Sequence, residues 1–126
     1  MVQQQEIKKP WGYEYISVVT DKYVVKKLHI QAEHSTSVQY HNIKDKHITP
    51  ISGYGFITYH SPKTLQEVNT ESLQYGVWRH IEPKTIHRLW SNEGCILFEV
   101  STPELDDVII LTESSLVEPR NNVKQE

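Results

Sequence analysis

The sequence predicts one antiparallel all-β domain, built as a sandwich or a barrel. Short runs rich in β-branched and aromatic residues recur along the chain, and turn-forming residues separate them. No stretch shows the apolar repeat of an amphipathic helix, and a parallel sheet would need such helices to connect its strands. The 126 residues suffice for one domain with its own core and no disulfide bonds. We therefore predict a single domain over residues 1–126, with a core over 9–113 and a polar C-terminal tail over 114–126.

The predicted strands follow one another at short intervals. In the first half of the chain they cover residues 14–19, 23–30, 36–41 and 51–60, and residues 52–55 form a turn or bulge within the last run. In the second half they cover residues 65–68, 73–75, 78–82, 86–90, 95–101 and 108–112. Residues 69–71 and 92–94 have the composition of hairpin turns, so we expect the strands on either side of each turn to pair.

Composition and charge exclude several kinds of partner. The formal net charge is -3 with both signs mixed along the chain, and without a basic stripe nucleic acid is not an expected partner. No apolar run approaches the ~20 residues of a membrane helix, and residues 1–5 lack the apolar segment of a signal peptide. The single cysteine, Cys95, cannot form an internal disulfide and precedes an apolar run. We therefore expect a buried core thiol in a cytoplasmic protein.

Three polar residues on predicted strands are candidates for a binding site. Gln39 and His41 lie two residues apart on one strand, so their side chains point to the same face. His87 lies on a different predicted strand, and in a closed β structure such strands can face each other across the interior. Histidine is the commonest side-chain ligand for divalent transition metals. On the pattern alone two interpretations stay open, a metal site and a set of solvent-exposed polar residues.

Several segments occur in the order and at the spacing of a known family. They are Lys9-Pro10-Trp11-Gly12, Ser37-Val38-Gln39-Tyr40-His41, Gly53, the segment from Ile81 to Asn92 around His87-Arg88-Leu89, and the closing segments Phe98-Glu99-Val100 and Glu104-Leu105-Asp106-Asp107-Val108-Ile109. Together they resemble the cupin domain of type II mannose-6-phosphate isomerases, the domain often fused to a mannose-1-phosphate guanylyltransferase. The resemblance implies a cupin fold, which is an antiparallel double-stranded β-helix or jelly-roll barrel. Small cupins need to cover their edge strands, so we expect a homodimer that exchanges the N-terminal strand around Trp11.

The resemblance also implies an activity and a set of ligands. The family's reaction is the metal-assisted aldose–ketose isomerisation of a sugar phosphate, which places the chain in carbohydrate or polysaccharide metabolism. Carried over position by position, the metal ligands are Gln39, His41, a glutamate position and His87. Zn, Mn, Fe or Ni would suit such a centre, where a divalent ion polarises a carbonyl group. The implied small-molecule partner is a sugar phosphate or a nucleotide sugar.

The chain departs from the family pattern at two positions of this site. The glutamate position holds Lys46, a cation that repels a metal ion, and the family's arginine after Asp-Asp-Ile-Val is replaced by Ile110. His47 is a substitute ligand if a bulge or a slipped register in residues 42–46 turns it inward. In an isomerase, Lys46 and His47 are the candidate catalytic bases within reach of the substrate.

Two classes of function therefore stay open. One is a metal-assisted isomerase. The other is a non-catalytic cupin that binds a sugar or a nucleotide sugar in a pocket where Lys46 supplies the positive charge. A different cupin reaction on a nucleotide sugar is a third class, for which the sequence shows no clear acid–base pair. Lys26 either faces the same pocket or is a solvated strand lysine, and we expect Arg88 to form a structural salt bridge with Glu99.

Overall fold

The computed structural model describes residues 5–112 and the backbone of residues 124–125. None of these residues lies in a helix, so the described part of the chain offers no helix that could cross a membrane. The first seven strands are β1 (Gln5–Lys9), β2 (Gly12–Val19), β3 (Val24–Ile30), β4 (His34–Ser35), β5 (Gln39–Tyr40), β6 (Lys46–Gly53) and β7 (Phe56–His60). The other six are β8 (Glu67–Ser72), β9 (Arg79–Ile81), β10 (His87–Ser91), β11 (Cys95–Ser101), β12 (Ile109–Ile110) and β13 (Lys124–Gln125).

The strands form two antiparallel sheets. The six-stranded sheet has the order β1-β2-β3-β11-β6-β9, and the seven-stranded sheet has the order β13-β12-β5-β10-β7-β8 with β4 beside β10. After β3 the chain passes repeatedly from one sheet to the other, for example between β5 and β6, between β6 and β7 and between β10 and β11. Two packed antiparallel sheets connected in this way form a jelly-roll barrel, so the predicted fold class is confirmed.

Side chains alternate between the barrel interior and the outer surface along each long strand. On β3 and β11 every second residue is buried, and the pairing places Leu28 opposite Leu97 and Lys26 opposite Glu99. The apolar inward residues pack into one core: Trp11, Leu28, Ile30, Ile48, Ile57, Leu73, Ile81, Leu89, Cys95 and Leu97. Further along the same strands the inward residues are charged or polar, and this part of the interior holds the candidate site.

Cys95 belongs to the apolar core, as predicted. Its side chain is buried among the core residues, and burial raises the pKa of the thiol to about 11. The thiolate is the reactive form of cysteine, so this thiol is chemically inert in the folded protein.

Gly53 ends β6 where the chain crosses between the sheets. Its φ angle is 72°, in the left-handed region that favours glycine. A Cβ atom at this position would lie 2.1 Å from the carbonyl oxygen of Gly94, a contact that no side chain tolerates. The crossing therefore requires glycine at this position of the motif.

The structure corrects three of the strand predictions. Residues 69–71 lie inside β8, which pairs with β7, and the exposed polar residues of this edge strand resemble a turn in composition. Residues 92–94 do not close a hairpin, because β10 and β11 belong to different sheets. The predicted strand ranges began at residue 14 and so omitted β1, which pairs with β2 of the same chain. The exchange of the N-terminal strand between subunits stays a prediction. The predicted tail, residues 114–126, lies outside the described residues apart from the backbone of β13.

Candidate ligand-binding site

The candidate site is a cavity of about 360 Å³ inside the barrel. The seven-stranded sheet contributes Gln39 from β5 and His41, which directly follows β5. The six-stranded sheet contributes Lys26 from β3, Lys46 from β6 and Glu99 from β11. Each of these five residues is between 2% and 6% exposed. The fold therefore collects polar groups from both sheets in one cavity.

His87 forms a histidine pair with His41 beside Gln39. The register places His87 directly opposite Gln39, and the ring centroids of the two histidines are 5.8 Å apart. Nδ1 of His41 donates to the carbonyl oxygen of Asp107 at 2.6 Å, and Nδ1 of His87 donates to that of Thr85 at 2.8 Å. Because a carbonyl oxygen only accepts, each ring carries a proton on Nδ1. Both Nε2 atoms are buried and have no hydrogen-bond partner among the described residues.

Both imidazoles are neutral at physiological pH. Burial, reinforced by the positive charge of Lys46, lowers the pKa of His41 to about 3. The same two causes lower the pKa of the fully buried His87 to about 3. Two neutral rings with unpaired Nε2 atoms can accept hydrogen bonds from ligand hydroxyl groups or coordinate a metal ion.

Glu99 is surrounded by buried lysines. Its Oε1 atom lies 3.1 Å from Nζ of Lys46, and its Oε2 atom lies 3.4 Å from Nζ of Lys44, which lines the cavity from the loop between β5 and β6. Lys26 stands opposite Glu99 in the β3–β11 pairing, and its Nζ lies 3.2 Å from Oε1 of Glu14. We call these five residues the lysine cluster.

The lysine cluster contains three ammonium groups and two carboxylates. Lys26 has Glu14 as its closest partner, whereas Lys44 shares Glu99 with Lys46. Burial lowers the pKa of Lys44; Glu99 opposes this shift, and the two other lysines add to it. Burial alone would raise the pKa of Glu99, but the three ammonium groups hold it well below its usual value. The cluster thus has one positive charge in excess, which a bound anion would neutralise.

Asp107 holds the loop that carries His41 and Lys44. Its carboxylate accepts hydrogen bonds from the backbone N–H groups of Asn42, Ile43 and Lys44, at 3.1, 2.6 and 2.8 Å. Its backbone carbonyl accepts the hydrogen bond from the His41 ring. Burial would raise the pKa of Asp107, but the three backbone donors outweigh this effect and lower the pKa. One residue therefore orients the imidazole of His41 and fixes the backbone from which the Lys44 side chain extends.

We expect Asp107→Ala to lower the free energy of unfolding by about 1–3 kcal/mol, because three backbone donors lose a charged acceptor. Urea unfolding measures the change, and hydrogen exchange of the amides of residues 42–44 reports on the loop itself. Asp106→Ala is the matched control, since Asp106 is the exposed neighbour. Unchanged exchange of these amides in Asp107→Ala would contradict the role assigned to Asp107.

The structure does not bring His47 into the site. The β6–β11 pairing is regular from Lys46 to Thr49, so Lys46 faces inward and His47 outward. His47 is exposed, and its ring stacks on that of His80 with centroids 4.4 Å apart. The irregularity of this pairing lies beyond it, at Ile96 and Leu97 on the partner strand. This placement contradicts the prediction that His47 acts as a ligand or base in the pocket.

Sequence reasoning missed Glu99 and Lys44 as site residues. It paired Glu99 with Arg88, but Arg88 binds Glu67 at 2.8 Å on the outer side of the other sheet. Glu99 alternates with the inward-facing Leu97, and this period of two was the signal for its position. No periodicity gives the side-chain direction of Lys44, because it lies in a loop.

A jelly-roll barrel with a polar cavity between its sheets is the architecture of a cupin. The family model described as mannose-6-phosphate isomerase C-terminal matches residues 1–112, and the chain belongs to that family. The resemblance inferred from the sequence motifs is thereby confirmed. No curated protein matches the chain.

Solved structures share the fold at low sequence identity. The capsular polysaccharide assembling protein CapF from Staphylococcus aureus is 13% identical, with a TM-score of 0.68 over 88% of this chain and 35% of that chain. Oxalate decarboxylase from Bacillus subtilis is 12% identical, with a TM-score of 0.72 over 94% of this chain and 33% of that chain. An uncharacterized double-stranded β-helix protein from Klebsiella pneumoniae is 16% identical, with a TM-score of 0.64 over 89% of both chains. The chain thus spans about a third of the length of the first two proteins, and these likenesses show the fold alone.

The family and one similar structure raise the question of a metal ion. Bacillus subtilis oxalate decarboxylase, which has the same fold, contains Mn(II) centres. In this chain the Nε2 atoms of His41 and His87 and the amide of Gln39 are suitable donors. The fourth family position, however, places the ammonium group of Lys46 in the same cavity. Within residues 5–112 no group of three His, Cys, Asp or Glu side chains is arranged for a metal, so the donor set does not fit the family's four-ligand centre.

Proposed function

We propose that this cupin binds an anionic sugar derivative, a sugar phosphate or a nucleotide sugar, in the cavity of its barrel. The observation that carries the proposal is the combination of the lysine cluster with the neutral imidazole of His41 in one cavity, with the neutral imidazole of His87 next to that of His41. Ammonium groups donate hydrogen bonds to anionic oxygens, and imidazole Nε2 atoms accept them from hydroxyl groups. A sugar phosphate offers both kinds of group in one molecule. Membership of the mannose-6-phosphate isomerase family supports a sugar as the hydroxyl-bearing part.

The charge of the site favours an anionic sugar over a neutral one. A buried ammonium group without a carboxylate of its own is unfavourable, and Lys44 meets this condition because it shares Glu99 with Lys46. A bound phosphate would supply the missing negative charge and stabilise the protonated form of Lys44. A neutral sugar would leave the excess charge in place.

Thermal unfolding tests this proposal with four ligands at constant ionic strength: mannose 6-phosphate, GDP-mannose, mannose and inorganic phosphate. We expect one or both anionic sugars to raise the Tm in a saturable way, because a ligand that binds only the folded state stabilises it. Mannose or phosphate alone should give a much smaller shift. Equal shifts with mannose 6-phosphate and inorganic phosphate, or no shift with either anionic sugar, would contradict the proposal.

A matched pair of variants locates the binding site. His41→Ala removes a cavity acceptor and should reduce the ligand-induced shift in Tm, whereas His47→Ala removes an exposed histidine and should leave it unchanged. Equal shifts in the two variants would place the ligand outside the cavity.

Isomerisation of the bound sugar phosphate is a second candidate. The convergence of Gln39, His41 and His87 favours it, because these are the family's ligand positions. Two observations place it second. Imidazoles with a pKa of about 3 are weak bases at neutral pH, and Ile110, at the family's arginine position, pairs with Gln39 and so faces the same side of the sheet. Formation of fructose 6-phosphate from mannose 6-phosphate, lost in His87→Ala, would move isomerisation to first place.

A further inference from the structure

We propose that Lys46 takes the place of the family's metal ion as the positive centre of the cavity, and that its ammonium group binds the ligand oxygen that a metal would bind. The second part of this inference rests on the proposed function. The first part concerns the chain alone and is tested without any sugar.

Lys46 lies in the same cavity as the residues that would hold a metal ion. It is the first residue of β6, it is 5% exposed, and it lines the same cavity as Gln39 and His41. Among the charged groups near His41 and His87, Lys46 lowers the pKa of both rings the most. A divalent ion on the two Nε2 atoms would therefore be repelled by a buried like charge.

Lys46 also has hydrogen-bonding capacity to spare. An ammonium group has three N–H donors, and the Nζ atom of Lys46 is 3.1 Å from Oε1 of Glu99, which accepts one of them. The remaining donors can bind a ligand oxygen inside the cavity. Glu99 thus anchors the ammonium group, much as a protein carboxylate anchors a metal ion.

The exchange of glutamate for lysine conserves the charge of the site. A divalent ion held by one glutamate carries a net charge of one, and a single ammonium group carries the same charge. A single substitution of glutamate by lysine at position 46 would thus remove a metal ligand and at the same time supply the positive charge of the metal. It follows that the reverse substitution, Lys46→Glu, should recreate a metal centre from residues already in place.

Metal titration of the full chain tests this inference after treatment with a chelator. Calorimetry with Mn²⁺, Zn²⁺ or Co²⁺, and the visible absorption of bound Co²⁺, measure binding to the wild type, Lys46→Glu and Lys46→Gln. We expect one ion per chain in Lys46→Glu, bound about 100-fold or more tightly than by the wild type, because a repulsive charge is replaced by a ligand. Lys46→Gln removes the repulsion but supplies no carboxylate ligand, and it should tighten binding by about tenfold. A second change, His87→Ala, should abolish the site in Lys46→Glu.

Two outcomes would overturn the inference. One is stoichiometric metal binding by the wild type that His87→Ala removes. The other is a folded Lys46→Glu chain, verified by circular dichroism and melting, that binds metal no more tightly than the wild type. If Lys46→Glu does not fold, the comparison of Lys46→Gln with the wild type decides, and equal affinities contradict the inference. Sugar binding in the wild type can survive each of these failures, so the two proposals are tested separately.

Discussion

Replacing Glu99 with glutamine is expected to lower the free energy of unfolding by about 3–5 kcal/mol, the cost of leaving buried charges without their partner. Glu99 is 2% exposed and lies within ion-pair distance of Lys44 and Lys46. Glutamine keeps the shape of the side chain but removes its charge, so the loss measures electrostatics rather than packing. Urea unfolding monitored by tryptophan fluorescence gives the value.

A control and a double variant identify the cause of the loss. Glu93→Gln makes the same chemical change at an exposed turn and should alter stability by less than about 0.5 kcal/mol. Adding Lys44→Met to Glu99→Gln removes one of the stranded ammonium groups. It should therefore recover more stability than Lys44→Met gains in the wild-type background. A loss below about 1 kcal/mol in Glu99→Gln would show that the lysine cluster does not depend on this carboxylate.

Lys44→Met is expected to stabilise the folded protein by about 1 kcal/mol or more while weakening ligand binding. Replacing a poorly compensated buried charge with an apolar side chain of similar length is often stabilising. Lys44 is 2% exposed, and Glu99 keeps Lys46 as its partner in this variant. A residue that costs stability and is nevertheless present in a cavity is typical of a functional site.

The pH dependence of this gain follows from the lowered pKa of Lys44. Its unfolded pKa is 10.5 and its folded pKa is lower, so between the two values the unfolded state binds more protons. Wild-type stability therefore rises with pH across this window. The advantage of Lys44→Met should be largest below the folded pKa and should shrink as the pH approaches 10.5.

Lys27→Met provides the matched control for both effects. Lys27 follows the cavity residue Lys26 on β3 and points to the outer face, so this variant removes the same charge outside the barrel. It should change the free energy of unfolding by less than about 0.5 kcal/mol. The ligand affinity should stay the same. Destabilisation by Lys44→Met, with Lys27→Met neutral, would contradict the idea that Lys44 carries an excess charge.

Local patterns predicted the fold because β-strands have a short repeat. The β-rich runs at β3 and β11 predicted the strands, although their inward faces were left open for Lys26 and missed for Glu99. Gly53 was predicted as a motif glycine within a turn or bulge, and the structure places it at a crossing that requires glycine. The pattern failed at β8, where an edge strand needs few apolar residues and reads as a turn. It also failed at residues 92–94, since a turn sequence does not reveal whether the next strand joins the same sheet.

The site was predictable only where its residues lie on regular strands. Gln39 and His41 share a face by simple alternation, and the family motif identified His87 as their counterpart. The inward direction of Lys46, and the outward one of His47, depend on a register that only the three-dimensional pairing with β11 fixes. Lys44 lies in the loop between β5 and β6, whereas Glu99 lies on β11, far along the chain. No local sequence pattern therefore predicts their ion pair.

The most direct test of a metal-free, lysine-based pocket is a calorimetric titration of the chelator-treated wild type with the anionic sugar that raises its Tm most. We predict saturable binding at one site per chain, unchanged by added divalent ions. Binding should be weaker by about tenfold or more in Lys44→Met, which lacks a charged donor. Binding that disappears on removal of metal ions and returns with Mn²⁺ or Zn²⁺, with Lys44→Met equal to the wild type, would contradict the account.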